Sequence, residues 1–406
     1  MLKKKTGRKS RGSEHSIARN ATVRQGRRRV ARETAGNRIQ PLIREPELTG
    51  REDVSHLRLS VITSSNSDMP ISELVEELWL LRTHAIDFYP RGRDIQAAMN
   101  ITRPKLESLP LLDRFTDASF HTDIARYVKG ELREGLQRIR RHFGVKVSTK
   151  QLVVPALATF FPEIGSFDDE LAKKAGKALA NSVRLAKKLQ ATVVEFVLGR
   201  TVERCHRSPA GAGEGGILRC EYIHRGTAES RIVRAVDILA EYVIPLAEQT
   251  GVRLAAEIEP GFSYVLSSRT AVEFYLQEIR KRKLDRWLGL NADIGHLLIL
   301  QGSNRPGVPI TPDIARTWTP HIFHAHGSDN VGQHYRDLVP GTFHSINSGD
   351  GERFFWEWVE LLQACVGNGS FSGFLAVELE ACSRIQWLQR SLLRLGYLVR
   401  QIAARK

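Results

Sequence analysis

The chain has 406 residues, 42% of them hydrophobic and 26% charged, with a formal net charge of +15. That mixture belongs to a soluble globular protein, long enough for one large domain or two to three small ones. Four cysteines, Cys205, Cys220, Cys365 and Cys382, exclude a disulfide framework of the small secreted kind. No apolar run approaches the roughly 20 residues of a membrane helix, so a cytoplasmic protein is expected.

The charge is concentrated at the N-terminus. Residues 1–40 hold 13 Lys or Arg against two acids, Glu14 and Glu33, and carry +11 of the total. With Lys3-Lys4-Lys5, Arg8-Lys9 and Arg27-Arg28-Arg29 and almost no large apolar side chain, the stretch cannot bury enough surface to offset its ordering entropy. A disordered basic tail over residues 1–50 is expected, drawn to nucleic acid or an anionic surface without sequence preference. A plain solvated extension is the alternative.

From about residue 55, short β-rich apolar runs alternate with segments whose apolar residues recur every three or four positions, the pattern of repeated βα units. The runs are Leu57–Thr63, Ala85–Tyr89, Ala118–Thr122, Gln151–Ala156, Thr192–Leu198, Arg253–Glu259, Trp287–Asp293, Ile322–Gly327 and Phe374–Glu380. Helical faces read as Ile71, Leu74, Val75, Leu78 and Leu81; then Leu171, Ala175, Leu179, Val183 and Ala186; then Ile232, Val236, Leu239 and Val243; and later Trp358, Leu361 and Leu362, then Ile385, Leu388, Leu392 and Leu395. The expected fold is α/β, a (β/α)8 TIM barrel over residues 51–406. Eight strands close such a barrel, so one early run is in excess, either Ala85–Tyr89 or Ala118–Thr122. Residues 91–114 and the Gly-rich 200–228 read as insertions in βα loops, the rim that carries function in barrels.

Four successive runs end in groups able to bind metal. In Arg253-Leu-Ala-Ala-Glu257-Ile-Glu259-Pro260, the two glutamates leave an extended strand on one face. Leu290-Asn-Ala-Asp293-Ile-Gly-His296 ends the next run, His324-Ala-His326-Gly-Ser-Asp329 the one after, and Leu375-Ala-Val-Glu378-Leu-Glu380 the last. Asp and Glu also cap helices at βα junctions, but four such endings in succession point to the catalytic mouth of a barrel.

This pattern resembles the xylose isomerase-like barrel superfamily, which holds sugar epimerases and isomerases together with apurinic-site endonucleases of the endonuclease-four type. The resemblance covers residues 150–400 well and 55–150 loosely. It implies that Glu257, Asp293, His326 and Glu378 ligate one divalent metal. Three carboxylates and one imidazole favour Mn²⁺, with Mg²⁺, Co²⁺ or Zn²⁺ as alternatives. It further implies that Glu257 and Glu378 are the acid/base pair of a proton transfer through a metal-stabilised enediolate, and that His296 touches substrate. Glu259 and Glu380 are candidates for binding hydroxyls, against the plainer reading of a helix cap or rim ion pair. The ketose epimerases carry an Arg six residues after the strand-seven ligand, where this chain has Gly332; Arg336 is the nearest substitute. The expected partner is a small sugar or polyol, and a homo-oligomer is compatible.

The nuclease reading asks for further ligands. The run Thr192–Leu198, expected as strand four, has Val197 where its His would fall, no Asp-x-His follows His326, and His121 is a candidate mimic of another nuclease ligand. A non-catalytic, metal-holding barrel is the third reading. Cys205-His206, Cys220 and His224 match no familiar zinc spacing, and the glycines near 211–216 lack the Lys-Ser/Thr ending of a phosphate loop.

Overall fold

The computed structural model describes residues 57–66, 69–145, 147–148, 152–201, 204–207, 218–221, 227–261, 263–303, 306–330, 337–338, 351–366, 371, 373–379 and 385–404. The expected basic tail, Arg336 and Glu380 lie outside the described residues.

Eight parallel strands form the centre: β1 (Arg58–Ile62), β2 (Ile86–Asp87), β3 (Ala156–Ala158), β4 (Val193–Phe196), β5 (Arg253–Glu257), β6 (Leu288–Asp293), β7 (Ile322–His326) and β8 (Phe374–Val377). Each is laddered to its neighbour in chain order from β3 to β8, and β8 pairs with β1, which pairs with β2. The seam between β2 and β3 is closed by Phe88 N donating to Ala156 O at 3.0 Å and Ala158 N donating to Phe88 O at 2.9 Å. Strands β4, β6 and β7 are buried along their whole length, as a parallel sheet walled by helices requires.

Around this sheet run α1 (Ile71–Leu80), α2 (Phe120–Phe143), α3 (Asp169–Leu189), α4 (Ala228–Tyr242), α5 (Arg269–Lys281), α6 (Ile294–Gln301), α7 (Gly351–Val366) and α8 (Ile385–Ala404). Strand followed by helix, repeated eight times around a closed sheet, is a (β/α)8 TIM barrel. Three helices start at side-chain caps: Asp168 accepts from Leu171 N, Thr227 from Ser230 N and Ser268 from Ala271 N. Each satisfies one amide that the first turn leaves without an intrahelical partner. Among the described residues no helix is long and apolar enough to cross a membrane.

Of the two early runs in question, Ala118–Thr122 is the one in excess. It leads into α2, whose Phe120, Ile124, Val128, Leu136 and Ile139 are buried at helical spacing. That long 3.6-residue period outweighs a β-rich stretch of five residues at its start. The fourth run is displaced: the strand is Ala156–Ala158 and not Gln151–Ala156, with only an isolated bridge from Val153 to Ala85. Pro155 lacks an N–H and interrupts any ladder through it. The insertion at 91–114 folds into helices Gly92–Met99, Arg103–Ser108 and Leu111–Thr116. In the second insertion Arg204–Arg207 pairs antiparallel with Leu218–Glu221, Cys205 lying opposite Cys220.

Inside the barrel, Ala156, Val193, Ala255 and Phe323 form a small cluster of their own. The Arg253 guanidinium lies 4.4 Å over the Phe323 ring. A Cβ at Gly289 would strike that ring and the His321 carbonyl, so glycine makes room for the aromatic side chain.

Candidate metal centre at the barrel mouth

Strand register assembles the cluster. Glu257, the last residue of β5, faces Asn291 of β6; two residues on, Asp293 ends β6 opposite His326 of β7. His326 in turn faces Ala376 of β8, which places Glu378 one pleat nearer the mouth. Side chains two apart share a face, so all four arrive on the inside of the barrel at the C-terminal ends of their strands. Glu257, Asp293, His326 and Glu378 are buried, and one potential ligand atom from each lies within 4.8 Å of the others.

His326 is the hub. Its Nδ1 is 2.6 Å from Glu378 Oε2, 3.6 Å from Glu257 Oε1 and 3.9 Å from Asp293 Oδ2. Burial disfavours a charged imidazole, yet the Glu195 and Glu378 carboxylates hold its pKa well above the usual histidine value. Burial, reinforced by the charges of Glu195 and Glu259, pushes Glu257 well above the carboxylate range. Burial also raises Glu378, with His326 opposing. Asp293 goes the other way: burial is outweighed by His296, His326 and the Ser328 hydroxyl, which hold it below its ordinary value.

Asp293 has two duties. Its Oδ1 accepts from His296 N at 3.1 Å, capping α6, and from Ser328 Oγ at 2.8 Å, while Trp358 Nε1 donates to Ser328 O at 2.9 Å. A Cβ at Gly295 would overlap Ser328 Oγ, so glycine permits this close approach. Asp293 Oδ2 and Glu257 Oε1, by contrast, are buried without any hydrogen-bond partner. Two partnerless oxygens in a cluster of three carboxylates are costly unless a positive charge joins them. The donor set therefore fits a divalent cation, and these buried groups can hold a metal ion.

Other residues singled out from the sequence fall around this cluster. His296 Nδ1 is 3.2 Å from Ile258 O and 3.7 and 3.8 Å from Glu257 and Glu259. Glu259 is buried beside that imidazole, away from the rim. His121 sits in the first turn of α2 and not on a strand, so it is not among the groups gathered at the mouth.

Two acids escaped sequence reasoning. Glu195 of β4 places Oε2 2.9 Å from His326 Nε2, on the opposite side of the ring from the cluster, and interaction with the imidazole lowers its pKa against the effect of burial. Asp87, the last residue of β2, places Oδ2 2.6 Å from His324 Nε2, and both side chains are fully buried. Each lies on an apolar strand with an inward side chain, and that parity was the available signal. Asp87, His324 and His326 make a second cluster of potential ligands beneath the first.

A closed parallel barrel with a ring of carboxylates and an imidazole at its mouth defines a class of proteins whose chemistry resides in the strand ends. The chain belongs to the xylose isomerase-like TIM barrel family, whose sequence model matches residues 115–395. Among solved structures, it is similar to a 3-keto-D-glucoside 4-epimerase from E. coli, at 12% identity, covering 84% of this chain and 98% of that one with a TM-score of 0.52. A D-tagatose 3-epimerase-like protein matches at 14% identity over 86% of this chain and 99% of the other, TM-score 0.52. An L-ribulose 3-epimerase matches at 12% over 86% and 96%, TM-score 0.50. At such identities these likenesses speak for the fold. No curated protein matches the chain.

Proposed function

We propose that this chain is a divalent-metal-dependent isomerase or epimerase acting on a sugar, sugar phosphate or polyol. The observation that carries the reading is the convergence of two buried glutamates, Glu257 and Glu378, within one cluster beside Asp293 and His326. Epimerases among the structural relatives agree with it. Glu257, Asp293, His326 and Glu378 would hold the cation, Mn²⁺ being favoured by the mostly oxygen donor set.

When bound, a divalent cation polarises a carbonyl oxygen and acidifies the adjacent C–H. Glu257 and Glu378 arrive from strands at opposite ends of the β5–β8 arc, so one carboxylate removes that proton and the other returns it. Glu195 fixes the proton on His326 Nε2 and leaves Nδ1 for the cluster, the usual service of a carboxylate to a ligating imidazole. His296 and Glu259 bind substrate hydroxyls, and Arg336 and Glu380 are assigned the same task.

The basic N-terminal segment favours a second reading, an endonuclease of the apurinic-site type. Against it, β4 runs into Phe196, Val197 and Leu198, all buried and apolar, where such an enzyme needs a histidine. Incubating the Mn²⁺-loaded protein with a panel of ketoses, aldoses and inositols in D2O distinguishes the two. Deuterium at a sugar carbon supports the proposal; no exchange with any of them, together with nicking of abasic DNA, replaces it with the nuclease.

A further inference from the structure

We propose that the groove between the start of α2, the middle of α3 and the end of α4 binds a small phosphate-bearing organic anion, at a site separate from the barrel mouth. The groove encloses a cavity of about 450 Å³, lined among others by His121, Lys177, Asn181, Arg184 and Tyr242. That is within the size range of small-molecule pockets, roughly 300–1,000 Å³.

The lining carries two cations, Lys177 and Arg184. Among the described residues neither Lys177 nor Arg184 forms an ion pair; Arg184 Nη1 donates to the neutral Asn181 Oδ1 at 2.8 Å. His121 Nδ1 is buried without a hydrogen-bond partner. Burial and then the positive charges of Lys188 and Arg184 press the His121 imidazole toward its neutral form, with Asp123 opposing. Of the nearby acids, Asp123 pairs with Arg126 at 2.9 Å and Asp113 with Lys174, while Asp117 accepts from Ser119 N at 2.7 Å and Glu241 interacts with Tyr242.

His121 lies in the first turn of α2, whose start is already served by the Asp117 carboxylate through that bond to Ser119 N. Two flexible cations and an imidazole suit a phosphate monoester, with its charge of about −2 and three acceptor oxygens. Ala118, Ala180 and the Tyr242 ring supply an apolar wall for the organic part.

Calorimetric titration of the full-length protein with phenyl phosphate at constant ionic strength tests this. The comparison proteins are the Lys177→Ala/Arg184→Ala double variant, His121→Gln, and Arg103→Ala as a control for loss of surface charge. Lys177 and Arg184 are exposed, so their removal leaves the fold intact. The expected result is one site, weakened at least about tenfold in the double variant, several-fold in His121→Gln and not at all in Arg103→Ala. No binding by the unaltered protein, binding unchanged in the double variant, or citrate binding as tightly as phenyl phosphate overturns the proposal.

Discussion

The two halves of the barrel differ in what their strands deliver. Strands β5 to β8 bring Glu257, Asp293, His326 and Glu378 to one point, whereas β2 and β4 bring Asp87 and Glu195, which lie against the far nitrogens of the β7 histidines. One half presents donors to the mouth, and the other orients them from behind. An imidazole has two nitrogens, and the group on the far nitrogen decides what the near one offers. A site of this kind is therefore built from both halves, although only one half supplies the groups that converge.

The sharpest way to break this contrast is to neutralise a donor. Glu257→Gln or Glu378→Gln should lower turnover by roughly 10²–10⁴-fold while leaving the fold intact, measured as deuterium exchange into the sugar found in the screen. Turnover that survives both changes would remove the acid/base assignment. On the supporting side, Glu195→Gln should weaken divalent-metal affinity by about 10–100-fold, read by competition with a chelating dye. If its effect matches that of Asp293→Asn, the distinction between the halves disappears.

Proton linkage gives a third test. In cation-free protein the pKa values of Glu257 and Glu378 lie above 4.5 and that of His326 above 6.5, so the folded state keeps protons that the unfolded chain has released. Their stabilising contribution is complete below those ordinary values and is lost as pH rises through the raised ones. Asp293 and Glu195, shifted down, act with the opposite sign below their ordinary values of 3.8 and 4.5. The chelated protein should thus melt at progressively lower temperature as pH rises above those ordinary values of 4.5 and 6.5, and Mn²⁺ should abolish that decline, because the cation takes the place of the protons. A chelated protein whose melting temperature rises over this range would contradict the assignment. The smallest expected effect is that of Gly295→Ala, about 1–3 kcal/mol in urea denaturation, because a methyl group there separates Asp293 from Ser328.

The donor half was legible in the sequence for a simple reason. Glu257, Asp293, His326 and Glu378 stand at the ends of apolar runs, and in a parallel barrel strand ends and mouth coincide. Glu195 and Asp87 were not, because a carboxylate inside Val193-Val-Glu195-Phe or Ala85-Ile-Asp87-Phe reveals its partner only once the opposing strand is known. Strand β3 was displaced by Pro155, whose missing N–H matters only against a specific neighbour. Ala118–Thr122 misled because a five-residue stretch carries a β pattern while its continuation carries a helical one.

The Phe323 ring, seated over Gly289 beside Ala156, Val193 and Ala255 and stacked under Arg253, has one more consequence. It helps to fill the floor of the cylinder, whose interior is solid with side chains. The cluster above therefore has a closed base, and a ligand meets it from the open side.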